Sequence, residues 1–443
     1  MTWIELLIVL TCIVFGARLG GISLGTMGGI GLLILVFIFG LPPGSPPGIV
    51  LGMIVAVITA LAAMQSAGGL DYLIAIATRL MHKKPQNITF VAPFITFFLI
   101  MASGTQHVIY ALLPVISEVS KKAGIRPERP LSISVIASMY GLIASPISAA
   151  TVALLAALAA YDVNLLQIII VIIPSAILGL TVGILSVAWR GKNLEDDPAY
   201  QEILKSGKLK EENKIVELPK EKVHTARNSL FTFLTAIVIV VIIGIFPQLR
   251  PDYTLLKGDQ SITEQLEMGD AIMIIMLAAA GIMMLFFKAK PAEAVKGSIM
   301  NGGIVAVISI LGVSWMGSSF FEGNRIEIVS GISSVIEQAP WVLAIGLFTL
   351  SMLLFSQAAT IVTLMPVAVA LGMPLTTLIA VYPAVNGFFF LPTYGTLLAA
   401  VSFDSTGTTR IGKYLLNHSF MLPGLVTLIS TTLFAFIISS FVI

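Results

Sequence analysis

The chain has 443 residues, of which 57% are hydrophobic and only 11% charged, and its mean hydropathy is +0.99. Soluble domains carry about a quarter charged residues, so this is a polytopic membrane protein whose partner is the lipid bilayer, and a long soluble domain with ATP hydrolysis is excluded. The net charge of +2 is too small to argue for nucleic acid, a lone cysteine (Cys12) excludes a disulfide framework, and His82, His107, His224 and His418 never fall at metal-ligand spacing, so neither a metal nor a cofactor is expected.

A transmembrane helix needs about 20 apolar residues. In chain order such spans are predicted at 3–18, 24–41, 49–67, 131–160, 165–189, 228–247, 269–287, 298–317, 375–403 and 415–441. The start Met1-Thr2-Trp3-Ile4-Glu5 lacks the basic segment of a cleaved signal, so the first stretch is expected to be retained. Two further stretches, 88–120 and 340–372, are too long for one crossing and too short for two. Polar patches split them, Ser103-Gly104-Thr105-Gln106-His107 in one and Ser356-Gln357-Ala358-Ala359-Thr360 in the other. Arms of about 15 residues reach roughly 22 Å against roughly 30 Å of hydrocarbon. Both therefore read as re-entrant helical hairpins with tips near the membrane midplane.

Residues 190–227 hold nine basic and eight acidic side chains and read as a solvated cytoplasmic linker. With the N-terminus outside and each hairpin returning to its own side, only Arg250, Lys257 and Arg325 of the 25 basic residues lie outside. So strong an inward bias supports both termini on the outer side.

The halves 1–189 and 228–443 resemble each other at an offset near 250 residues. Ile54 to Thr59 recurs as Ile304 to Ser309, Leu113-Pro114-Val115 as Met365-Pro366-Val367, and Pro174 as Pro423. Each half has five spans and one hairpin, so the second copy must be inverted. The fold class expected is all-α, with two inverted repeats, about ten transmembrane helices and two re-entrant hairpins, the pattern of a secondary transporter.

Proline should break 131–160 at Ser145-Pro146 and 375–403 at Leu391-Pro392-Thr393-Tyr394-Gly395-Thr396. Unwound backbone at that depth must line a protein cavity. After both hairpin tips and both breaks a helix begins at the midplane, so four positive dipole ends converge. The span centres hold no Lys, Arg, Asp or Glu, the nearest acids being Glu118 and Asp404. A site neutral in side chains and positive in dipoles suits a small anion, and two related halves suit one with an anionic group at each end. The donors for it are Ser103, Thr105, Gln106, Ser145, Ser148, Ser356, Gln357, Thr360, Thr393 and Thr396, with Gly104, Pro146, Pro392 and Tyr394 shaping the breaks. Taken singly, each hydroxyl is also explained by helix capping. His107 is either a proton carrier or a structural histidine, and Asn301, Asn386 and Asn417 read as packing or capping residues.

Several segments in order resemble the anaerobic C4-dicarboxylate transporter family, Dcu. They are Gly16 to Ile22, Ala67-Gly68-Gly69-Leu70-Asp71, Arg126-Pro127-Glu128-Arg129-Pro130, Ala144 to Ser148, Leu391 to Tyr394, and Thr406 to Lys413. Arg126 to Pro130 and Gly104 to Tyr110 are more like the DcuB branch. Pro392 to Leu397 is more like the DcuA branch, with Leu397 where DcuB has an acid. The resemblance implies exchange or uptake of C4-dicarboxylate anions (fumarate, succinate, malate and aspartate) across a bacterial inner membrane, with both termini then periplasmic. It also implies membership of the ion-transporter superfamily and a homodimer whose transport domain moves as an elevator. A sodium- or proton-coupled carboxylate or amino-acid carrier of the same superfamily is the alternative. An intramembrane enzyme would need a paired acid, base or metal at depth, which the span centres lack; a channel is disfavoured by the inverted halves.

Overall fold

The computed structural model describes residues 2–443 except 20, 21, 47, 162, 206–222, 258, 259, 325, 328–340, 355, 392, 393 and 412–415. In the first half, α1 (Thr2–Leu19) and α2 (Ser23–Leu33, continued by a π-helical turn Ile34–Ile38) precede α3 (Gly48–Ser66). Gly68, at φ +82°, turns the chain by 73° into the amphipathic α4 (Gly69–Lys83). The first hairpin consists of α5 (Ile88–Ser103), a 3-10 turn Gln106–Val108 and α6 (Ile109–Lys122). Then come α7 (Glu128–Ala144) and α8 (Ala149–Ala157), 42° apart, and α9 (Leu165–Ala188). Asn164 and Gln167 start α9 with reciprocal side-chain-to-backbone bonds of 3.0 and 2.9 Å.

The short α10 (Pro198–Lys205) leads into the linker. The second half holds α11 (Val223–Ile245), α12 (Met268–Phe286), α13 (Pro291–Lys296) and α14 (Ser298–Gly323). Its hairpin pairs α15 (Val342–Leu354) with α16 (Gln357–Ala370). A broken segment, α17 (Leu375–Ala380) and α18 (Gly395–Phe403), precedes α19 (Met421–Val442). The order of hairpin, broken segment and long helix is thus the same in both halves.

Each expected span contains α-helix, although the span from 375 is interrupted and the one from 415 is helical only from Met421. Six helices among the described residues are long and apolar enough to cross a bilayer alone, and two bent pairs are so together. Three details differ from expectation. The first hairpin arm, with the 3-10 turn Pro85–Asn87 before it, is 19 residues long and not about 15, so length alone does not keep it from crossing. The segment from 375 stays α-helical only to Ala380 and continues as 3-10 turns Tyr382–Val385 and Gly387–Phe389, because Pro383 lacks an N–H and crowds the turn before it. An antiparallel β-hairpin joins α11 to α12, β1 (Asp252–Lys257) pairing with β2 (Gln260–Gln265) from Asp252 opposite Gln265 to Lys257 opposite Gln260.

Two groups of helices pack side by side. In one, α12 lies on α3, α14 on α2 and α3, and α1 on α2. The contact of α2 with α14 is backbone to backbone: a Cβ on Gly25 would lie 2.0 Å from Ile308 O, and one on Gly312 would lie 1.9 Å from Gly25 O. In the other, α5 packs on α7, α9 on α19, and α8 on α16. Gly179 and Gly183 receive Thr431 and Thr427 there, and Gly141 meets Phe97 O. The groups meet where α3 faces α8 and α14 faces α16.

Candidate functional site

Four chain interruptions build the site. Gly104, at φ +65°, ends α5 by donating to Ile100 O at 2.8 Å. A Cβ there would lie 2.8 Å from Ile147 Cδ1, so the first tip rests against the α7–α8 break. That break follows from Pro146, which drives Ser145 into extended backbone. Ser148 Oγ then accepts from Thr151 N at 3.2 Å and starts α8. At the second tip Ser356 Oγ accepts from Ala359 N at 3.1 Å and starts α16. At the start of α18 the N-cap residue Tyr394 makes no side-chain cap bond of its own.

These helix starts border one cavity of about 620 Å³. Gly104, Thr105 and Gln106 line it from the first tip, Ala149 and Ala150 from α8, Ser356, Gln357 and Ala358 from the second tip, and Tyr394 and Thr396 from α18. The facing wall is mostly apolar, with Ile54, Val57, Ile58 and Leu61 of α3 and Ile299 and Val305 of α14; Asn301 and Ser309 are its polar side chains. None of the described residues lining the cavity is charged. The field inside is therefore set by helix ends, each equivalent to roughly +0.5 charge.

Two glutamines one residue past the tips hold the interruptions together. Gln106 Nε2 donates to Ser138 Oγ at 2.9 Å, and its Oε1 accepts from Tyr394 Oη at 3.0 Å. Gln357 Nε2 donates to the Met139 carbonyl at 2.9 Å and to Asn386 Oδ1, while Asn386 Nδ2 donates to Pro383 O. The glutamines thus meet consecutive residues of α7. Both Gln357–Met139 and Tyr394–Gln106 bridge the two halves of the chain.

The whole sequence, residues 1–443, matches the family described as the anaerobic C4-dicarboxylate membrane transporter. The chain belongs to that family. It is 41% identical to the C4-dicarboxylate transporter DcuA of Escherichia coli strain K12 over 448 residues, covering 100% of both chains. It is 39% identical to DcuA of Wolinella succinogenes, covering 98% of each. With the anaerobic C4-dicarboxylate transporter DcuB of Escherichia coli O6:H1 it shares 37% identity, over 99% of this chain and 98% of that one. Two solved membrane proteins share the fold. Neisseria gonorrhoeae MtrF, reported to illuminate a class of antimetabolite efflux pumps, has a TM-score of 0.56 at 12% identity over 98% of this chain and 94% of its own. The Alcanivorax borkumensis YdaH transporter has a TM-score of 0.55 at 15% identity over 93% and 89%.

In this member of the C4-dicarboxylate transporter family, seven of the candidate site residues line the cavity, Gly104, Thr105, Gln106, Ser356, Gln357, Tyr394 and Thr396, and so does Asn301, expected to be a packing residue. Ser103, Ser145, Pro146, Ser148 and Thr360 are buried behind it. Ser103 Oγ turns back on Ile100 O at 3.3 Å, Thr360 Oγ1 donates to Ser356 O at 2.7 Å, and Ser148 caps α8. Ser145 Oγ is buried with no hydrogen-bond partner among the described residues. Pro392 and Thr393 lie outside the described residues, as does the side chain of His107. Sequence reasoning missed Tyr110, Phe388 and the apolar wall. Tyr110 sits in the first turn of α6, directly after the 3-10 turn that carries Gln106.

Proposed function

We propose that the chain is a secondary transporter that exchanges C4-dicarboxylates such as fumarate, succinate, malate and aspartate across the bacterial inner membrane. Family membership supports the substrate class. The observation that carries the site is the meeting of four helix starts on one cavity with no charged side chain among its described lining residues: the partial positive charges of the helix ends favour carboxylate oxygens without a fixed cation. A cavity of about 620 Å³ is also ample for a four-carbon diacid. In this reading the halves 1–189 and 228–443 are inverted repeats around a cytoplasmic linker, 190–227, and both termini are periplasmic. The chain works as a homodimer, in which the helix group carrying the tips moves past the other as an elevator.

Exchange is the favoured mode because a dianion moved alone carries two charges through the membrane field, at roughly 2.3 kcal/mol per charge per 100 mV. Among the described residues no carboxylate lines the cavity to bring a compensating proton. The test is purified protein in liposomes, preloaded or empty, given labelled fumarate, succinate, aspartate and citrate with and without sodium. Counterflow should be fast, empty-vesicle uptake slow, and exchange barely sensitive to membrane potential. Strong sodium-driven uptake into empty vesicles, with exchange no faster, would replace this reading by a sodium-coupled carrier.

A further inference from the structure

Helix α3 is 19 uncharged residues long, enough to cross a bilayer, and α4 leaves it at 73°. With α3 across the membrane, α4 lies close to its plane. Three strips of side chain run along α4. Leu70, Ala77, Thr78 and Met81 are buried against neighbouring helices. Leu73, Ile76 and Leu80, spaced by three and four residues, form the second strip, where Ile76 and Leu80 are 37% and 44% exposed. Arg79, His82 and Lys83 form the third and are exposed, as is Lys84 just past the helix. An apolar flank beside a cationic one is the pattern of a helix in the headgroup layer, rather than one in the hydrocarbon or in water.

The charge on this surface is one-sided. From Tyr72 to Ser117 the chain holds Arg79, Lys83 and Lys84 and no acid. The helices packed on α4 are α3, α5, α6 and α11. Of these, α3 and α5 are uncharged, and α11 brings His224 and Arg227 in its first turns and no acid. Helix α6 brings Glu118, Lys121 and Lys122, with Glu118 held by Lys122 at 2.5 Å. Asp71 sits in the first turn of α4, at the opposite end from Lys83. We propose that α4 is a docking surface for anionic phospholipid, with Leu73, Ile76 and Leu80 in the acyl boundary and Arg79, Lys83 and Lys84 on the lipid phosphates. Each cation near an anionic membrane surface strengthens attachment about fivefold. Because α4 joins α3 of one helix group to α5 of the other, the lipid anchors the connection between the apolar wall and the first hairpin tip.

The test is a bimane fluorophore on Leu80→Cys in the full chain, reconstituted with brominated phosphatidylglycerol or brominated phosphatidylcholine, which quench only a dye that they touch. The unaltered chain, whose Cys12 is buried, gives the background. Both lipids should quench, and phosphatidylglycerol should reach half-quenching at about a fifth or less of the mole fraction that phosphatidylcholine needs. With Arg79→Gln, Lys83→Gln and Lys84→Gln added, quenching should persist and that preference should disappear. No quenching by either lipid would overturn the proposal by placing α4 off the membrane. Equal quenching by the two lipids with the cations in place would overturn the anionic assignment, and neither result requires the multiply altered chain to fold. A preference unchanged by the three substitutions would also overturn it.

Discussion

Tyr394 Oη donates to Gln106 Oε1 at 3.0 Å across 288 residues of chain, tying the first hairpin tip to the start of α18 in the other half. Tyr394→Phe removes the donor and leaves a buried amide oxygen unmet, which should cost about 1–3 kcal/mol. The midpoint of thermal unfolding in detergent should fall accordingly, and dicarboxylate affinity with it. An unchanged midpoint would mean that the bond contributes nothing.

Gly395 is the first residue of α18, and a Cβ on it would lie 2.6 Å from Tyr110 Oη, with the next atom, Tyr110 Cζ, at 3.9 Å. Gly395→Ala should therefore slow exchange several-fold by displacing the helix start. Adding Tyr110→Phe deletes the one atom in the way and should restore part of the rate. Exchange in the double variant no faster than in Gly395→Ala would show that the contact is not the cause.

Alanine at Gly25 or Gly312 meets backbone rather than a movable side chain, at 2.0 and 1.9 Å. Either change should destabilise the protein by about 3 kcal/mol or more, the upper range for overpacking. Gly281 in α12 has open space around its missing Cβ, so Gly281→Ala should be neutral or gain up to about 1 kcal/mol of helix propensity. Unfolding midpoints of the three variants side by side provide the measurement.

On the linker side, Arg126 is buried with its Nε on Glu128 Oε2 at 2.6 Å and its other arm on Asp197. Burial works against the arginine's charge, but Glu128 and Asp197 outweigh it and hold the pKa above the ordinary value. Its neighbour Arg129 is pushed down by burial and then by Arg126. Removing one partner of a buried pair costs about 3–5 kcal/mol when nothing replaces it. Glu128 remains, so Asp197→Asn should cost less, about 1–3 kcal/mol. Proteolysis of the linker should become faster in that variant; an unaltered rate would show that Asp197 does not anchor it.

If both hairpins return to their own side, cysteines at Lys84 and Lys121 should be labelled only from the cytoplasm and one at Gln338 only from the periplasm. Labelling of Lys84 and Lys121 from opposite sides would make the first hairpin a crossing.

The long apolar helices were legible because a bilayer demands length and apolarity at once, and the break at Ser145-Pro146 because proline cannot continue a helix. The shortness of α17 was hidden, since Val381 to Phe390 is as apolar as any helix and the 3-10 turns leave no mark on composition. The β-hairpin had its signal in Gly258-Asp259 between Thr- and Ile-containing flanks. For the site, sequence located the tips and breaks but not the direction of each hydroxyl. Ser103 and Thr105 are two residues apart, yet only Thr105 borders the cavity. Side-chain direction at an irregular turn depends on dihedral angles that periodicity does not encode.

The two walls of the cavity are unlike in what they can hold. The tips and breaks offer N–H groups and amides, whereas α3 presents Ile54, Val57, Ile58 and Leu61, which make no directional bond. A diacid bound between them is gripped from one side and merely touched from the other. If the gripping wall shifts along α3, dispersion contacts are traded for similar ones, and the polar groups of the facing wall, Asn301 and Ser309, are confined to α14. On the elevator reading proposed above, that surface would act as a bearing, and the barrier to sliding would be set by its smoothness rather than by how tightly the cargo is held.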